Sequence, residues 1–126
     1  MTAPRSIADR IRDILEAAAN IERFVQGMDL GSFSNDEKTV YAVTRGIEII
    51  GEAVKGVPEK VRSEHPGIPW KEMAGMRDKV IHDYPGVDVL VLWGVATEEL
   101  PPLRPSLQEV LDGLAKNRRV AKGEID

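Results

Sequence analysis

The N-terminal part of the chain has apolar and polar positions arranged with the period of an amphipathic helix. Apolar residues recur every three or four positions between Ser6 and Gln26, and charged residues occupy positions between them. Ser6 is of the residue type that caps a helix N-terminus, and Gly27 is of the type that ends a helix. The pattern therefore predicts a helix from Ser6 to Gln26. Its apolar face consists of Ile7, Ile11, Ile14, Leu15, Ala18, Ile21 and Val25.

A second amphipathic helix is predicted over residues 35–55, after a loop rich in glycine and serine. Ser34 and Glu37 have the spacing of a capping box, in which each side chain accepts a hydrogen bond from a backbone N–H of the first turn. Gly46 and Gly51 each cost about 1 kcal/mol relative to alanine inside a helix. We expect another helix to come close at these two positions. The apolar seam consists of Val40, Val43, Ile47, Ile50 and Val54.

Proline and glycine divide the chain after this helix. Residues 58–64 are expected to form one short turn of helix. Pro69 can occupy the first turn of a third helix, where its missing N–H is harmless. This helix is expected to stop near residues 83–84, because Pro85 disfavours helical backbone at the residue before it.

The C-terminal part has the features of two further helices. Asp88 can cap a fourth helix, whose apolar face includes Leu92 and Trp93. The proline pair at 101–102 breaks or kinks that helix. A last helix is predicted over residues 106–114.

These elements predict an all-α fold, a four-to-five helix up-and-down bundle. No segment alternates with period two, and no internal repeat or linker divides the chain of 126 residues. We therefore expect one helical domain over residues 1–115 and a polar, basic tail over residues 116–126. Hydrophobic residues make up 42% and charged residues 30% of the chain, which is typical of a globular protein.

The overall charge limits the kind of nucleic-acid contact that the chain can make. The net charge is −4, so the protein repels a phosphate backbone at long range, and any RNA contact must come from a local basic cluster. No motif specific for DNA is present. There is no cysteine, which excludes disulfides and thiolate metal sites. No apolar leader or membrane-spanning stretch is found, so we expect a cytoplasmic protein.

Candidate chemistry is concentrated at the end of the third predicted helix. The chain has two histidines, and one of them, His82, lies in a dense polar cluster with Arg77, Asp78 and Tyr84. On a continuous helix Asp78 and His82 share a face, so the carboxylate could orient the imidazole. Arg77 and His82 would be about 140° apart around an ideal helix. They would converge only if the Arg side chain reached across or if a second copy of the chain completed the site.

Histidine and arginine are sufficient for RNA cleavage. The 2′-hydroxyl of RNA is an internal nucleophile, so the enzyme need only move protons and stabilise the charge on the phosphorus oxygens. His82 suits the first task, and the guanidinium of Arg77 suits the second. The sequence has no pattern for a metal site, a P-loop or a dinucleotide-binding loop, so we expect neither metal nor cofactor.

The Arg77-x4-His82-x-Tyr84 pattern resembles the motif of the HEPN superfamily. The tyrosine two residues beyond the histidine makes the pattern similar to that of the HepT-like branch of this superfamily. The similarity extends over roughly residues 5–111. Pro85 departs from the family pattern, in which an aromatic residue is more usual there, and 101–105 is unusually rich in proline. The remaining blocks that carry the resemblance are residues 36–39 (DEKT), 45–52 (RGIEIIGE), 65–70 (HPGIPW), 74–79 (AGMRDK) and 86–88 (GVD).

The resemblance to the HepT-like ribonuclease toxin family implies a homodimer formed through the third and fourth helices, with the active site in the cleft between subunits. It implies a metal-independent endoribonuclease toxin in which Arg77 and His82 are catalytic and Asp78 supports them. Its antitoxin would be a minimal nucleotidyltransferase that transfers AMP to Tyr84. Added phosphate would place negative charge beside Arg77 and block RNA.

A second interpretation remains open on the residues alone. The chain could be a non-catalytic helical subunit that binds a nucleotide or substrate for a nucleotidyltransferase, which the acidic net charge permits. A plain helical scaffold, in which the polar cluster is a solvated helix end, is a third.

Overall fold

The structure, a computed structural model, describes residues 5–81 and 86–121, the last four of them by their backbone alone. Within these residues the chain is helical, which confirms the all-α class. Four longer helical stretches pack together: α1, α3, α7 with the π-helical turn that continues it, and α8. The elements are α1 (Ile7–Val25), α2 (Leu30–Ser34), α3 (Glu37–Lys55), α4 (Glu59–Glu64), α5 (Trp70–Ala74), α6 (Met76–Val80), α7 (Val89–Gly94), the π turn (Val95–Glu99) and α8 (Leu103–Ala121).

Helices α1 and α3 form the centre of the domain and run antiparallel. A Cβ added to Gly46 of α3 would lie 2.7 Å from the side chain of Ile21 in α1, while Gly56, just beyond α3, lies against the side chain of Arg10. The predicted close approach at Gly46 is therefore confirmed. The predicted apolar faces of both helices pack in the core, although Ile7, Leu15 and Val40 are only partly buried. The positions at 0% exposure are Ile11, Ile14, Ile21, Val43, Ile47, Ile50 and Val54.

The start of α1 is as predicted, but the start of α3 is not. Ser6 and Asp9 form a reciprocal capping box at the beginning of α1. At α3, the predicted Ser34–Glu37 box is wrong. Asp36 is the cap and accepts a hydrogen bond from the N–H of Thr39 at 3.0 Å. The reason is that Ser34 ends a separate short helix, α2, where its hydroxyl donates to a backbone carbonyl of that helix.

Helix α8 is longer than the sequence indicated. It begins at Leu103 rather than near residue 106, because Pro105 lies within its first turn, where a backbone N–H has no helical partner. It continues to Ala121 instead of ending at residue 114. The side chain of Arg104 forms an ion pair with Glu22 in the second half of α1, so α8 starts beside that end of α1. A division between domain and tail at residue 115 stays a prediction.

Within the described stretches, no helix combines the length and the apolar character needed to cross a membrane.

Candidate active site

The predicted third helix is two short helices. α5 ends at Ala74 and α6 begins at Met76, with Gly75 between them at φ −91° and ψ 0°. Both helices lack a side-chain cap. The apolar spacing of this segment is close enough to helical for the interruption at Gly75 to be missed from sequence.

Packing against α3 fixes the position of these two helices. Met73 and Val80 have 0% exposure and Met76 has 4%, so both helices are anchored in the core. A Cβ at Gly51 of α3 would lie 3.3 Å from the carbonyl oxygen of Ala74. The predicted close approach at Gly51 is confirmed, and it is made by the backbone that leads directly into α6.

Burial of the two ends of α6 leaves its three middle residues on the exposed side. The side chain of Arg77 is 53% exposed, and its Nη1 lies 3.6 Å from Oδ1 of Asp78, which is 84% exposed. This separation is beyond hydrogen-bonding range. The side chain of Arg77 is thus accessible, and among the described residues only this weak local ion pair holds its guanidinium.

Helix α6 ends before the predicted position. Ile81 is extended, at φ −106° and ψ 121°, and pairs with Val87 in an isolated antiparallel bridge. The N–H of Asp88 donates to the carbonyl of Val80 at 2.7 Å, which uses an acceptor that a continuing helix would need. The helix therefore stops at Val80, and the helical angle expected between Arg77 and His82 does not apply.

His82 and Tyr84 lie outside the described residues, so their predicted roles and the proposed contact between Asp78 and His82 stay predictions. The structure does describe the residues before and after them, up to Ile81 and from Gly86 onwards. Ile81 and Val87, which flank residues 82–86 in sequence, pair with each other. The stretch that carries His82 starts one residue after that bridge.

The next helix, α7, begins as predicted. Asp88 caps it by accepting a hydrogen bond from the N–H of Val91 at 3.1 Å. Leu90 in its first turn is 67% exposed. After Gly94 the helix widens into a π turn, closed by a hydrogen bond from the N–H of Leu100 to the carbonyl of Val95 at 3.0 Å.

An ion pair close to Arg77 in sequence was not predicted. Nζ of Lys79 lies 3.2 and 3.3 Å from the two carboxylate oxygens of Glu99, the last residue of the π turn. The two side chains are 54% and 45% exposed. The two residues lie 20 positions apart, so no local sequence pattern indicates this pair. Among the described residues, no group of three or more histidine, cysteine, aspartate or glutamate side chains is placed to hold a metal ion.

The fold and this site define an all-helical protein with an accessible arginine ahead of a short stretch whose ends are paired. The family model described as ribonuclease HepT-like matches residues 14–110. The chain belongs to the HepT-like family, as the sequence resemblance indicated.

Proteins of similar sequence match most of this chain and nearly all of their own length. A protein of Thermococcus cleftensis named "Probable ribonuclease HepT" is 47% identical over 106 residues, which are 84% of this chain and 96% of that protein. A protein of Methanocaldococcus jannaschii is 43% identical over 110 residues, 87% of this chain and 95% of its own length. One from Caldanaerobacter subterraneus subsp. tengcongensis is 41% identical over 111 residues, 88% and 96% of the two chains. The last two carry provisional RNase names. No solved structure matches the chain.

Proposed function

We propose that this protein is a metal-independent endoribonuclease in which Arg77 and His82 are the catalytic residues. Membership of the HepT-like family and the ribonuclease names of its relatives support the activity. The observation that carries the assignment of the site is the exposure of Arg77 and the weakness of its ion pair. Its side chain is 53% exposed, and among the described residues its one ion pair is a 3.6 Å contact with Asp78, although the helix that bears it is anchored at both ends in the core.

The reaction follows from the chemistry of RNA. The 2′-hydroxyl oxygen attacks the adjacent phosphorus, and its proton passes to a base. The bond from phosphorus to the 5′-oxygen then breaks, and that oxygen takes up a proton, which leaves a cyclic phosphate and a 5′-hydroxyl end. The imidazole of His82 moves these protons, and Arg77 stabilises the negative charge that builds up on the phosphorus oxygens.

Two copies of the chain form the active site. Base and acid act at opposite sides of the phosphorus, and a twofold axis supplies one histidine for each role. The exposure of Leu90 at 67% supports an interface that includes α7, because a large apolar side chain is stabilised when a partner covers it. This interface also brings α6 of each copy beside the shared cleft.

The ribonuclease acts as the toxin of a toxin–antitoxin pair. A minimal nucleotidyltransferase antitoxin silences it by transferring AMP from ATP to the hydroxyl of Tyr84, with pyrophosphate as the leaving group and loss of the hydroxyl proton. The attached phosphate places negative charge seven positions from Arg77 along the chain and competes with RNA for the guanidinium.

The activity is tested with purified protein and a labelled RNA. Wild type is expected to cleave it without added metal and in the presence of a chelator, while Arg77→Ala and His82→Ala are each slower by at least about a hundredfold. Arg12→Ala is a matched control, since Arg12 is 59% exposed and also has an aspartate neighbour, at 3.3 Å. It should cleave like wild type. Full activity in Arg77→Ala would refute the assigned site.

The biological role needs a separate experiment. Expression of wild type without a partner should arrest growth, and co-expression with the antitoxin should restore growth and add AMP to wild type but not to Tyr84→Phe. If the unmodified protein leaves RNA intact and instead binds a nucleotide, the chain is a binding subunit of the transferase.

A further inference from the structure

We propose that Lys79 is a second phosphate-binding residue of this site and that Glu99 is a positioning residue that holds it and competes with RNA for it. The proposal rests on the ribonuclease function proposed above. Lys79 is two residues beyond Arg77, on the exposed side of α6. Its Nζ lies within 3.3 Å of both carboxylate oxygens of Glu99, so the ammonium is fixed in one direction.

The π turn is what brings Glu99 to Lys79. In a continuous α-helix, residues seven apart lie on nearly the same face, so position 99 would fall on the buried face of Leu92. The extra residue per turn of a π helix shifts this register by one. Leu100, at 2% exposure, then takes the buried position, and Glu99 is released towards α6. π turns of this kind are frequent at functional sites.

The two cations of α6 are suited to separate phosphates. Residues two apart on a helix do not face each other, so Arg77 and Lys79 cannot grip a single phosphate group together. They can contact neighbouring phosphates of one strand. With a net charge of −4 on the chain, a local pair of cations is the kind of cluster that RNA binding requires.

The ion pair is weak enough for RNA to open it. Both side chains are about half exposed, at 54% and 45%, and exposed pairs are readily screened by solvent and salt. A phosphate that enters the cleft replaces the carboxylate at Nζ. Glu99 thus lowers the affinity for RNA while it keeps the ammonium aligned, and its removal should raise affinity.

Four variants test this on cleavage of a labelled RNA: E99Q, K79Q, the double variant, and E98Q as the control. Gln keeps a hydrogen-bond acceptor at position 99 and removes its charge. Glu98 is an exposed neighbour in the same π turn, so E98Q changes the net charge equally. KM is expected to fall about two- to fivefold in E99Q, to rise by a similar factor in K79Q, and to shift less than about twofold in E98Q.

Two further readouts separate phosphate binding from a purely structural role. K79Q should make the salt dependence of KM shallower by about 0.7 in the log–log slope, the value for one lost phosphate contact on a single strand. The double variant should behave like K79Q, because Glu99 acts through Lys79. Equal KM values in E99Q and E98Q, an unchanged slope in K79Q, or additive effects in the double variant would each overturn the proposal.

Binding of a 2′-O-methyl strand, which cannot be cleaved, keeps this result separate from the proposed function. If wild type cleaves RNA but the variants show none of these differences, the Lys79–Glu99 proposal alone fails. If wild type leaves RNA intact, the ribonuclease function fails. The affinities of wild type and the variants for the methylated strand still decide whether Lys79 binds phosphate in competition with Glu99.

Discussion

The long helices α1 and α3 and the short helices α5 and α6 form for different reasons. The first two have 19 residues each and begin with side-chain caps at Ser6 and Asp36. The other two have five residues each and no side-chain cap. Helices as short as five residues are not stable alone in water, so α5 and α6 depend on the burial of residues such as Met73 and Val80. The scaffold is encoded locally, whereas the helix that carries Arg77 is held by tertiary packing.

Two arginines show the same difference between scaffold and site. Arg62, on α4, donates from Nε to the carbonyl of Val57 at 3.0 Å and from Nη2 to the carbonyl of Val54 at 2.7 Å. It joins α4 to the end of α3 and is only partly exposed. Arg77 has no such backbone partner among its described contacts and is 53% exposed. The first guanidinium is used by the fold, and the second is available to a ligand.

The largest effect is expected from a charge placed under α6. Val80→Asp should lower the free energy of unfolding by at least about 3 kcal/mol, because Val80 is fully buried and an aspartate there has no partner. Chemical denaturation measures this. Tyr41→Asp is the control, since Tyr41 is 71% exposed, and it should cost less than about 1 kcal/mol. A stable Val80→Asp protein would mean that packing does not hold the site helix.

The contrast between the two arginines predicts opposite phenotypes. Arg62→Ala should lose about 1–2 kcal/mol of stability, because two carbonyls lose their charged donor, while the folded protein keeps its cleavage activity. Arg77→Ala should keep its stability to within about 0.5 kcal/mol and lose activity. Denaturation and RNA cleavage on both variants measure the two quantities. If Arg77→Ala unfolds more easily than Arg62→Ala, Arg77 is structural.

Sequence periodicity was sufficient for the long helices α1 and α3, but not for the bounds of α8. The predictions for the apolar faces of α1 and α3 and for the cap at Ser6 agree with the structure, because each depends on residues within one or two helical turns. The close approaches at Gly46 and Gly51 were also predicted correctly, because glycine inside a helix commonly marks such an approach. The start of α3 was predicted wrongly, since two candidate caps lie two residues apart. Asp36 caps α3 in the structure because Ser34 is already the last residue of α2.

At the candidate site, the motif drew attention to Arg77, whose role stays a prediction, and the sequence did not indicate the course of the backbone. Arg77 was singled out by its motif, but the helix expected to run to residues 83–84 ends at Val80. The cause is pairing with Val87 and Asp88, which a local pattern cannot report. The ion pair of Lys79 with Glu99 was missed for the same reason, since it spans 20 positions.

The two glycines of α3 offer a smaller test of scaffold against site. A Cβ at Gly46 would lie 2.7 Å from the fully buried side chain of Ile21, so Gly46→Ala should lower stability by about 1–2 kcal/mol net of its gain in helix propensity. Gly51 faces the backbone carbonyl of Ala74 at 3.3 Å. Gly51→Ala should stay within about 1 kcal/mol of wild type and instead shift α5 and α6, which reduces RNA cleavage. Denaturation curves and cleavage rates distinguish the two; a larger loss of stability in Gly51→Ala would contradict this assignment.

The smallest effect concerns the cap of α3. The hydrogen bond from the N–H of Thr39 lowers the pKa of Asp36, so the folded state favours its charged form. A carboxyl group with a lowered pKa stabilises the fold at pH values above its ordinary value of about 3.9, and this contribution is lost as the pH falls through the folded-state pKa. Asp36→Ala should therefore lower Tm at pH 7, and the difference from wild type should shrink towards pH 3. Ser34→Ala removes a hydroxyl that does not titrate, so any change in its Tm should be the same at both pH values. A pH-dependent effect of Ser34→Ala, or a constant effect of Asp36→Ala, would show that Asp36 is not the side chain that stabilises the start of α3.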